Sequence, residues 1–468
     1  MLKPSASRAP WLRVSTAVLV VATAVVAACD PNNLTTVHDP DSVPPSDVNS
    51  KAGLPFLFAG AVQTFQVAYS GAGDEANNGH EGQINMTGLL TDELIDIESF
   101  PTRQQVDARN TLPSNVSLKG TFADLSSARA AADQASAGYA KFDPTNPIWP
   151  RVLDYAGYSY LMFAEYYCDG VPFSTINTTN GKITYGLPLS RPDIRRIALA
   201  KFDSAETLGA AAVAADNAAG NSTAIDSEVI YLARVGQARA LMDSNDYASA
   251  AAVAAGVPPG FQYIVENSTN NPIQFNGIWN YNVAGNFFGV GDFDGGTGLD
   301  FVSGNDPRVL TIDTGQPGAI GFGPDWVEQE IYFQPGSNTV LASGLEAQLI
   351  IAEADLKAGN VGGWAGILNG LRGGAGIPPL TADSTTLAPA DMRIDVMFRE
   401  RAFWLFLTGH RMEDMRRLVR QYGRDQATVF PSVNPTAIGL SYSSDVDFPV
   451  SEDEQNNPNF HGCTDRKA

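Results

Sequence analysis

The stretch MRIDVMFRERAFWLFLTGHRMEDMRRLVRQYG runs from Met392 to Gly423 and decides the fold. Ile394, Met397, Phe398, Arg401, Ala402 and Leu405 recur three and four residues apart, which places them on one face of a helix. Gly409 reads as the end of that helix, because glycine takes the left-handed conformation that closes helices. Met412, Met415, Leu418 and Val419 begin a second stripe. Glu413 and Arg417 stand one turn apart in the order that favours an ion pair. The spacing therefore predicts two amphipathic helices joined by a short turn, with charges set among apolar residues.

The same period continues upstream. Phe122, Leu125, Ala128, Ala132, Ala135 and Tyr139 form one stripe, and an aromatic stretch from Trp149 to Tyr167 follows a Pro/Asn break at 144–147. Pro150 lies near the start of that second helix, where a missing N–H costs little. A second pair begins at Asp193 with Ile194, Ile197, Phe202 and Leu208. It leads into a helix carrying Ala233, Gly236 and Ala240, a turn at Asp243-Ser-Asn-Asp246, and an alanine-rich helix ending near Val257. Leu341 to Gly374 repeats helix, Gly-Asn turn and helix. The expected fold is mostly α: an irregular tetratricopeptide-like scaffold of helical hairpins, with no strict 34-residue period.

From about Pro258 to Asn338 the composition changes to Gly and Asn with interleaved aromatics, which predicts a loop-rich insertion. Insertions of this length in a compact protein generally carry function, and the aromatics favour order. Trp279, Asn280, Tyr281 and Asn282 combine flat apolar faces with amides, the mixture that a sugar ring and its hydroxyls require. They are the expected ligand contacts, although a core of the insertion itself would use the same aromatics.

At the N-terminus Lys3, Arg8 and Arg13 precede an uncharged apolar run from Val14 to Ala28. Roughly 15 apolar residues are a signal peptide and too few for a helical membrane span of about 20. The run ends Val26-Ala27-Ala28-Cys29, which resembles the lipobox of bacterial lipoproteins and marks residues 1–28 for removal and Cys29 for lipidation. Residues 29–50 are rich in Pro, Asn, Asp and Ser and read as a tether. Residues 51–468 remain for one folded domain, held to the membrane through its lipid only.

With 51 acids against 30 bases the chain carries a formal charge of −21, which argues against nucleic acid or an anionic surface as partner. Cys168 and Cys463 are the two cysteines left after Cys29. In an oxidising compartment they pair as a disulfide or stay as separate buried thiols. Closure of a loop of roughly 295 residues would contribute at most roughly 5–6 kcal/mol.

The segment from Met392 resembles the C-terminal signature of the SusD/RagB family: Glu400 and Arg401, then Gly409, His410 and Arg411, then Asp414, Met415, Arg416 and Arg417. The helix from Glu346 to Leu356, the aromatic helix and Gly-Val-Pro turn from Tyr158 to Pro172, and FPVSEDEQNNPNF from Phe448 to Phe460 are similar to further parts of that family. Trp404 and Thr408 stand where Glu is frequent, so the local charge network is expected to differ. The resemblance implies a helical outer-membrane lipoprotein at the cell surface that captures oligosaccharides or peptides for a SusC-type TonB-dependent transporter.

Catalysis has little local support. Glu400, Arg401, His410, Arg411 and Asp414 can be drawn as an acid/base cluster, but charges among apolar helices are generally paired with one another. His38, His80, His410 and His461 have no metal spacing, and no nucleophile elbow or phosphate loop occurs. Asp292, Asp294 and Asp300 faintly resemble a calcium loop, yet Ser303 stands where an EF-hand needs Glu. No metal or cofactor is expected. The alternatives to nutrient capture are a tetratricopeptide-like protein-interaction lipoprotein, a secreted hydrolase, and a substrate-binding lipoprotein of an inner-membrane importer; the last expects two α/β lobes, against the helical periodicity.

Overall fold

The computed structural model describes residues 49–73, 80–177 and 180–468. The predicted signal peptide, Cys29, His38 and the tether lie outside the described residues. The chain from Asn49 to Ala468 forms one compact, mostly helical unit. Among the described residues no helix is long and apolar enough to cross a membrane.

The first helix, α1 (Leu54–Ser70), is followed by α2 (Gly82–Leu90), β1 (Leu94–Asp96) and α3 (Pro101–Asp107). Then come the long α4 (Val116–Phe142) and α5 (Trp149–Tyr166), joined at the predicted Pro/Asn break. Asn115 caps α4 by accepting from Leu118 N at 3.0 Å. Residues 152–168 are buried without interruption, because α5 packs against α1, α4, α6 and α7. A helix enclosed by neighbours has no polar face to show, and its sequence is apolar nearly all round.

After α5 the short strands β2 (Val171–Pro172), β3 (Thr175–Ile176), β4 (Ile183–Thr184) and β5 (Pro188–Leu189) fold back on one another. β2 pairs with β5 and β3 with β4, both antiparallel. The scaffold resumes with α6 (Arg191–Ala219), α7 (Ala224–Asp243) and α8 (Tyr247–Ala254), then α9 (Gly344–Lys357) and α10 (Val361–Gly374). Each helix from α4 to α10 packs on the next, which is the predicted hairpin stack.

Small residues in α7 admit a ring: a Cβ on Gly236 would lie 2.3 Å from Phe202, and one on Gly157 in α5 would lie 2.5 Å from it. Phe202 thus fills the space that two glycines leave, and Tyr158 meets it edge-on at 5.0 Å.

The insertion is loop-rich as expected and also carries short elements. Its ends are clasped by β6 (Gln262–Val265) and, in sequence just past it, β10 (Thr339–Ser343), paired antiparallel with Thr339 opposite Val265. Between them lie a wide-turn helix at Trp279–Ala284, β7 (Phe288–Val290) and the hairpin of β8 (Thr311–Pro317) with β9 (Asp325–Gln329). β7 pairs with β1, so the insertion is also stitched to the N-terminal part of the scaffold. The strands of the hairpin are polar on most positions, which hides them from a search for apolar alternation.

The signature stretch forms α11 (Ala390–Trp404) and α12 (Arg411–Tyr422). Gly409 does not end α11: the helix stops at Trp404, five residues earlier. The backbone then turns through Leu407 at φ 52° and Gly409 at φ 79°. Leu407 N is taken by Glu93 Oε1 at 3.0 Å, a partner from β1's approach that local spacing cannot announce.

The C-terminal segment returns to α5. Cys168 N donates to Phe448 O at 2.9 Å, and Cys168 and Cys463 form a disulfide with Cα atoms 5.8 Å apart. Arg191 and Arg466 both pair with buried Asp447 beside it.

Candidate ligand face and the signature charge network

The signature residues are drawn together, and each is occupied by another part of the chain. Glu400 in α11 receives Arg308 at 2.7 Å, Arg372 at 2.5 Å and the Trp404 indole N–H at 3.2 Å. Trp404 therefore supplies a donor to the network at a position where an acid was expected, and the Arg308 guanidinium covers its ring at 5.0 Å. Arg401 grips Asp414 through two bonds of 2.8 and 2.9 Å. Arg417 reaches Glu353 at 2.8 Å, Asp414 at 3.0 Å and Asp243 at 3.3 Å.

The predicted Glu413–Arg417 pair is not the contact made. Glu413 turns to Arg416 at 3.2 Å and to Arg420, while Arg417 faces the acids of α7 and α9. Arg417 is drawn away by tertiary partners, and Glu413 is left to two other arginines of its own helix.

Ser343 and Glu346 have capping-box spacing at the start of α9, and Ser343 Oγ accepts from Glu346 N at 3.1 Å. The Glu346 carboxylate is instead held by Arg239 at 2.7 and 2.9 Å, with His410 Nε2 at 3.1 Å. Burial pushes Glu346 up, but Arg239 and His410 outweigh it and bring the pKa down to about 2. Burial, aided by Arg239, lowers His410 below its ordinary value. Thr408 Oγ1 sits 2.8 Å from His410 Nδ1 and fixes the ring's other side. Gly409 is required here: its φ is positive, a Cβ would lie 2.8 Å from the Tyr166 hydroxyl, and that hydroxyl donates to Gly409 O at 3.0 Å. The signature charges thus join α11 and α12 to α7, α9, α10, the insertion and the approach to β1, and all of them are buried.

Four carboxyls near β1 are held against ionisation. Burial, with the Leu407 N–H and neighbouring charges as smaller influences, raises Glu93 to about 8, and burial together with Glu98 raises Asp96 to about 8. Burial lifts Asp294 to about 7 although Tyr442 donates to it, and burial plus Asp294 and Asp96 lifts Asp107 well above its ordinary value. A carboxyl raised in the folded state holds its proton where the unfolded chain has lost it. Its contribution is complete below about pH 4 and disappears as pH climbs through the folded value. Between pH 7 and 9 His410 is already neutral in both states, so the raised carboxyls dominate. The midpoint of urea unfolding is expected to fall over that interval, with a loss on the order of 1 kcal/mol for each of Asp96 and Glu93.

The aspartates of the sequence GDFDGGTGLD are also engaged. Asp292 accepts from Val302 and Ser303, Asp294 from Tyr442 at 2.8 Å, and Asp300 pairs with Arg399. Among the described residues no group of three or more His, Cys, Asp or Glu is placed to hold a metal ion.

Of the four expected ligand contacts, three are interior. Tyr281 is fully buried, stacked on Phe288 at 5.4 Å with the Arg103 guanidinium 4.6 Å from its ring centre. Asn282 is also fully buried: it donates to Phe288 O at 2.7 Å and accepts from Gln329 N at 2.9 Å. Asn280 is buried in the same wide-turn helix. These residues form the insertion's own core, and side chains without an open face cannot stack on or bond a ligand.

Trp279 is different. It stays half-buried and meets half-buried Phe275 edge-on at 6.0 Å. Behind this pair runs a chain of amides: Gln274 donates to Gln63 at 3.1 Å, Gln63 to Gln66 at 2.8 Å, and Gln66 to Asn267 at 2.8 Å. Asn276 accepts from Trp279 N at 3.0 Å and donates to Ser337 O at 2.8 Å, which sets the indole's position. Phe333 stands exposed in the adjoining segment, and Asn270 and Asn271 are exposed on the approach. Aromatic faces over a relay of groups that both donate and accept suit a polyhydroxylated ligand. Gln63 and Gln66 escaped the sequence reading because α1 and the insertion lie some 200 positions apart; Phe275, Phe333, Asn267 and Gln274 lie within the insertion but were not singled out. The density of Asn and Gln between 267 and 276 was the available signal.

Residues 346–461 match the model of the SusD family. A SusD superfamily protein from Parabacteroides distasonis superposes with a TM-score of 0.64 at 13% identity, covering 88% of this chain and 99% of that one. The surface glycan-binding protein A from Bacteroides uniformis gives 0.61 at 11% identity, with 88% and 98% covered. A SusD-like carbohydrate binding protein from Bacteroides vulgatus gives 0.57 at 13% identity, with 78% and 83% covered. At these identities the superpositions establish a shared fold. No protein of curated function matches the sequence.

Proposed function

We propose, from the premise that this chain belongs to the SusD/RagB family, that it is a glycan-binding lipoprotein of the cell surface. In this reading it captures oligosaccharides for a SusC-type TonB-dependent transporter in the outer membrane. The observation that carries the binding role is the half-buried Phe275–Trp279 pair together with the half-buried amides of Gln63, Gln274 and Asn267, which buried Gln66 links. Stacking of a sugar's C–H face on an aromatic ring supplies apolar burial, and amides select hydroxyl positions. The names of the superposed relatives, a surface glycan-binding protein and a carbohydrate binding protein, agree with this role.

Lipidation at Cys29 and the 29–50 tether would keep the domain beside its transporter while leaving it free to tilt. The signature network is a frame for that domain and takes no part in bond breaking.

Isothermal calorimetry against a panel of oligosaccharides tests the binding role, with Trp279→Ala as the control variant. A saccharide that binds the native protein is expected to bind the variant at least roughly tenfold more weakly, the loss of about 1.4 kcal/mol of stacking. Binding of peptides with no saccharide bound would favour the protein-interaction alternative. Turnover of any ligand would revive the hydrolase. Co-purification from native membranes tests the partner, and recovery of the protein without an outer-membrane transporter would count against the uptake complex.

A further inference from the structure

The excursion between α5 and α6 is out of keeping with the rest of the surface. In the β3–β4 hairpin Ile176 stands opposite Ile183, so the two share a face, and both are exposed, at 65% and 45%. Tyr185 and Leu187 lie two and four residues past Ile183, beyond the end of β4, and are exposed at 41% and 68%. Four large apolar side chains are therefore exposed within one short excursion, two of them paired on one face of the hairpin. The excursion is clamped to the body: Asn457 donates to Gly186 O at 3.0 Å, Asn459 reaches Tyr185 O, and Phe173 packs edge-on against Tyr160 and Phe163.

Its charge is also unusual. From Gly170 to Pro192 there is no acid, in a chain that holds 51, and Lys182 is the sole charged residue of the hairpin. Asp169 and Asp193 flank this stretch, and each is engaged at the base of α6, Asp169 accepting from Arg191 N and Asp193 from Ser190 Oγ.

Position supplies the third observation. Arg129 of α4 donates to Ser174 O at 3.1 Å and lies over Phe173, which roots the hairpin on the middle of that helix. The described chain enters the domain at the C-terminal end of the same helix, where Lys51 pairs with Asp143 at 3.1 Å and Tyr139 donates to Leu54 O at 3.4 Å. Arg129 and Tyr139 are about 15 Å apart along α4 at the helical rise. The 20 or so residues between Cys29 and the entry point span at most roughly 65 Å. A lipid at Cys29 thus leaves the hairpin well within reach of the bilayer that holds it.

We infer that the excursion exposing Ile176, Ile183, Tyr185 and Leu187 seats in the lipid interface as a second, non-covalent membrane contact that sets how the anchored domain stands on the bilayer. The inference rests on the lipoprotein reading above. Four side chains cannot furnish the ~800 Å² per partner of a stable specific protein interface. Interfacial insertion acts side chain by side chain, tolerates a lone lysine that extends to the headgroups, and suits a tyrosine with its hydroxyl in the wet layer.

The test uses the full-length lipidated protein reconstituted into phosphatidylcholine vesicles, with an environment-sensitive fluorophore attached at Leu187→Cys or, separately, at Ile176→Cys. Brominated phosphatidylcholine is expected to quench both labels at least about twofold. A label at Ser222→Cys, exposed in the turn between α6 and α7, is expected to stay unquenched. Melting curves matching the unsubstituted protein show that the labelled variants are folded. Flotation with the vesicles but no quenching at 176 and 187 would overturn the hairpin contact and leave the lipid anchor standing. Failure to float would overturn the anchor, and the hairpin contact with it.

Discussion

Arg411→Ala is expected to cost about 3–5 kcal/mol of unfolding free energy, read as a lowered urea midpoint. Arg411 meets Asp92 through two bonds of 2.7 Å, and both side chains are buried. Deleting the guanidinium strands the Asp92 carboxylate with Leu299 N as its remaining donor, at 2.9 Å. That second bond extends the damage, because Leu299 belongs to the insertion and Asp92 to the approach to β1. Loss of the cation loosens both at once. Arg411→Lys is not a mild change, since an ammonium cannot make the paired bonds. The double variant Arg411→Met with Asp92→Leu is expected to recover much of the loss, because removing both charges leaves neither unpaired. If the double variant is as unstable as Arg411→Ala, packing at α12 and not the stranded charge is the cause.

Removing the Cys168–Cys463 bridge is the other large effect. The cysteines are 295 residues apart, so the bridge restricts the unfolded chain strongly. The chain-entropy bound is roughly 5–6 kcal/mol, and a loss of about 3–5 kcal/mol is expected for Cys168→Ala with Cys463→Ala. The native tail has other holds: Arg466 donates to Asp447 at 2.9 Å, and Asp169 N donates to Asp465 O at 2.9 Å. The folded variant is therefore expected to look native by circular dichroism and to differ in its unfolding midpoint. Dithiothreitol should lower the midpoint of the unsubstituted protein to that of the variant and leave the variant unmoved. A variant already sensitive to dithiothreitol would show that the reductant acts elsewhere.

Periodicity revealed the scaffold because its helices are built from local repeats. The stripe at Phe122–Tyr139 is buried as the three-and-four spacing requires, and so is the second stripe from Met397 to Leu405, with Ile394 half-buried at its start. Spacing could not reveal partners. Arg239 meets Glu346, Arg411 meets Asp92 and Arg417 meets Asp243 across separations of 107, 319 and 174 residues. In the Glu413–Arg417 pair, drawn from helix geometry alone, Arg417 goes to distant acids and Glu413 to Arg416 and Arg420 of its own helix. The insertion fared worst. WNYNVA looks like a polar loop with ornaments, yet Tyr281 lies between Phe288 and Arg103, neither of which is its neighbour in sequence. Trp279 alone of the four stays half-buried, and two of the amides near it, Gln63 and Gln66, come from a helix some 200 positions away.

The β6–β10 clasp bears on variation. Because the two ends of the insertion leave the scaffold side by side, the stretch between them resembles a cassette with fixed terminals. Lengthening such a closed loop is cheap, about 0.6 kcal/mol for each doubling. The stretch between the clasped ends can thus change while the helices beneath keep their register, limited by the points where β7 and Leu299 are sewn to the frame.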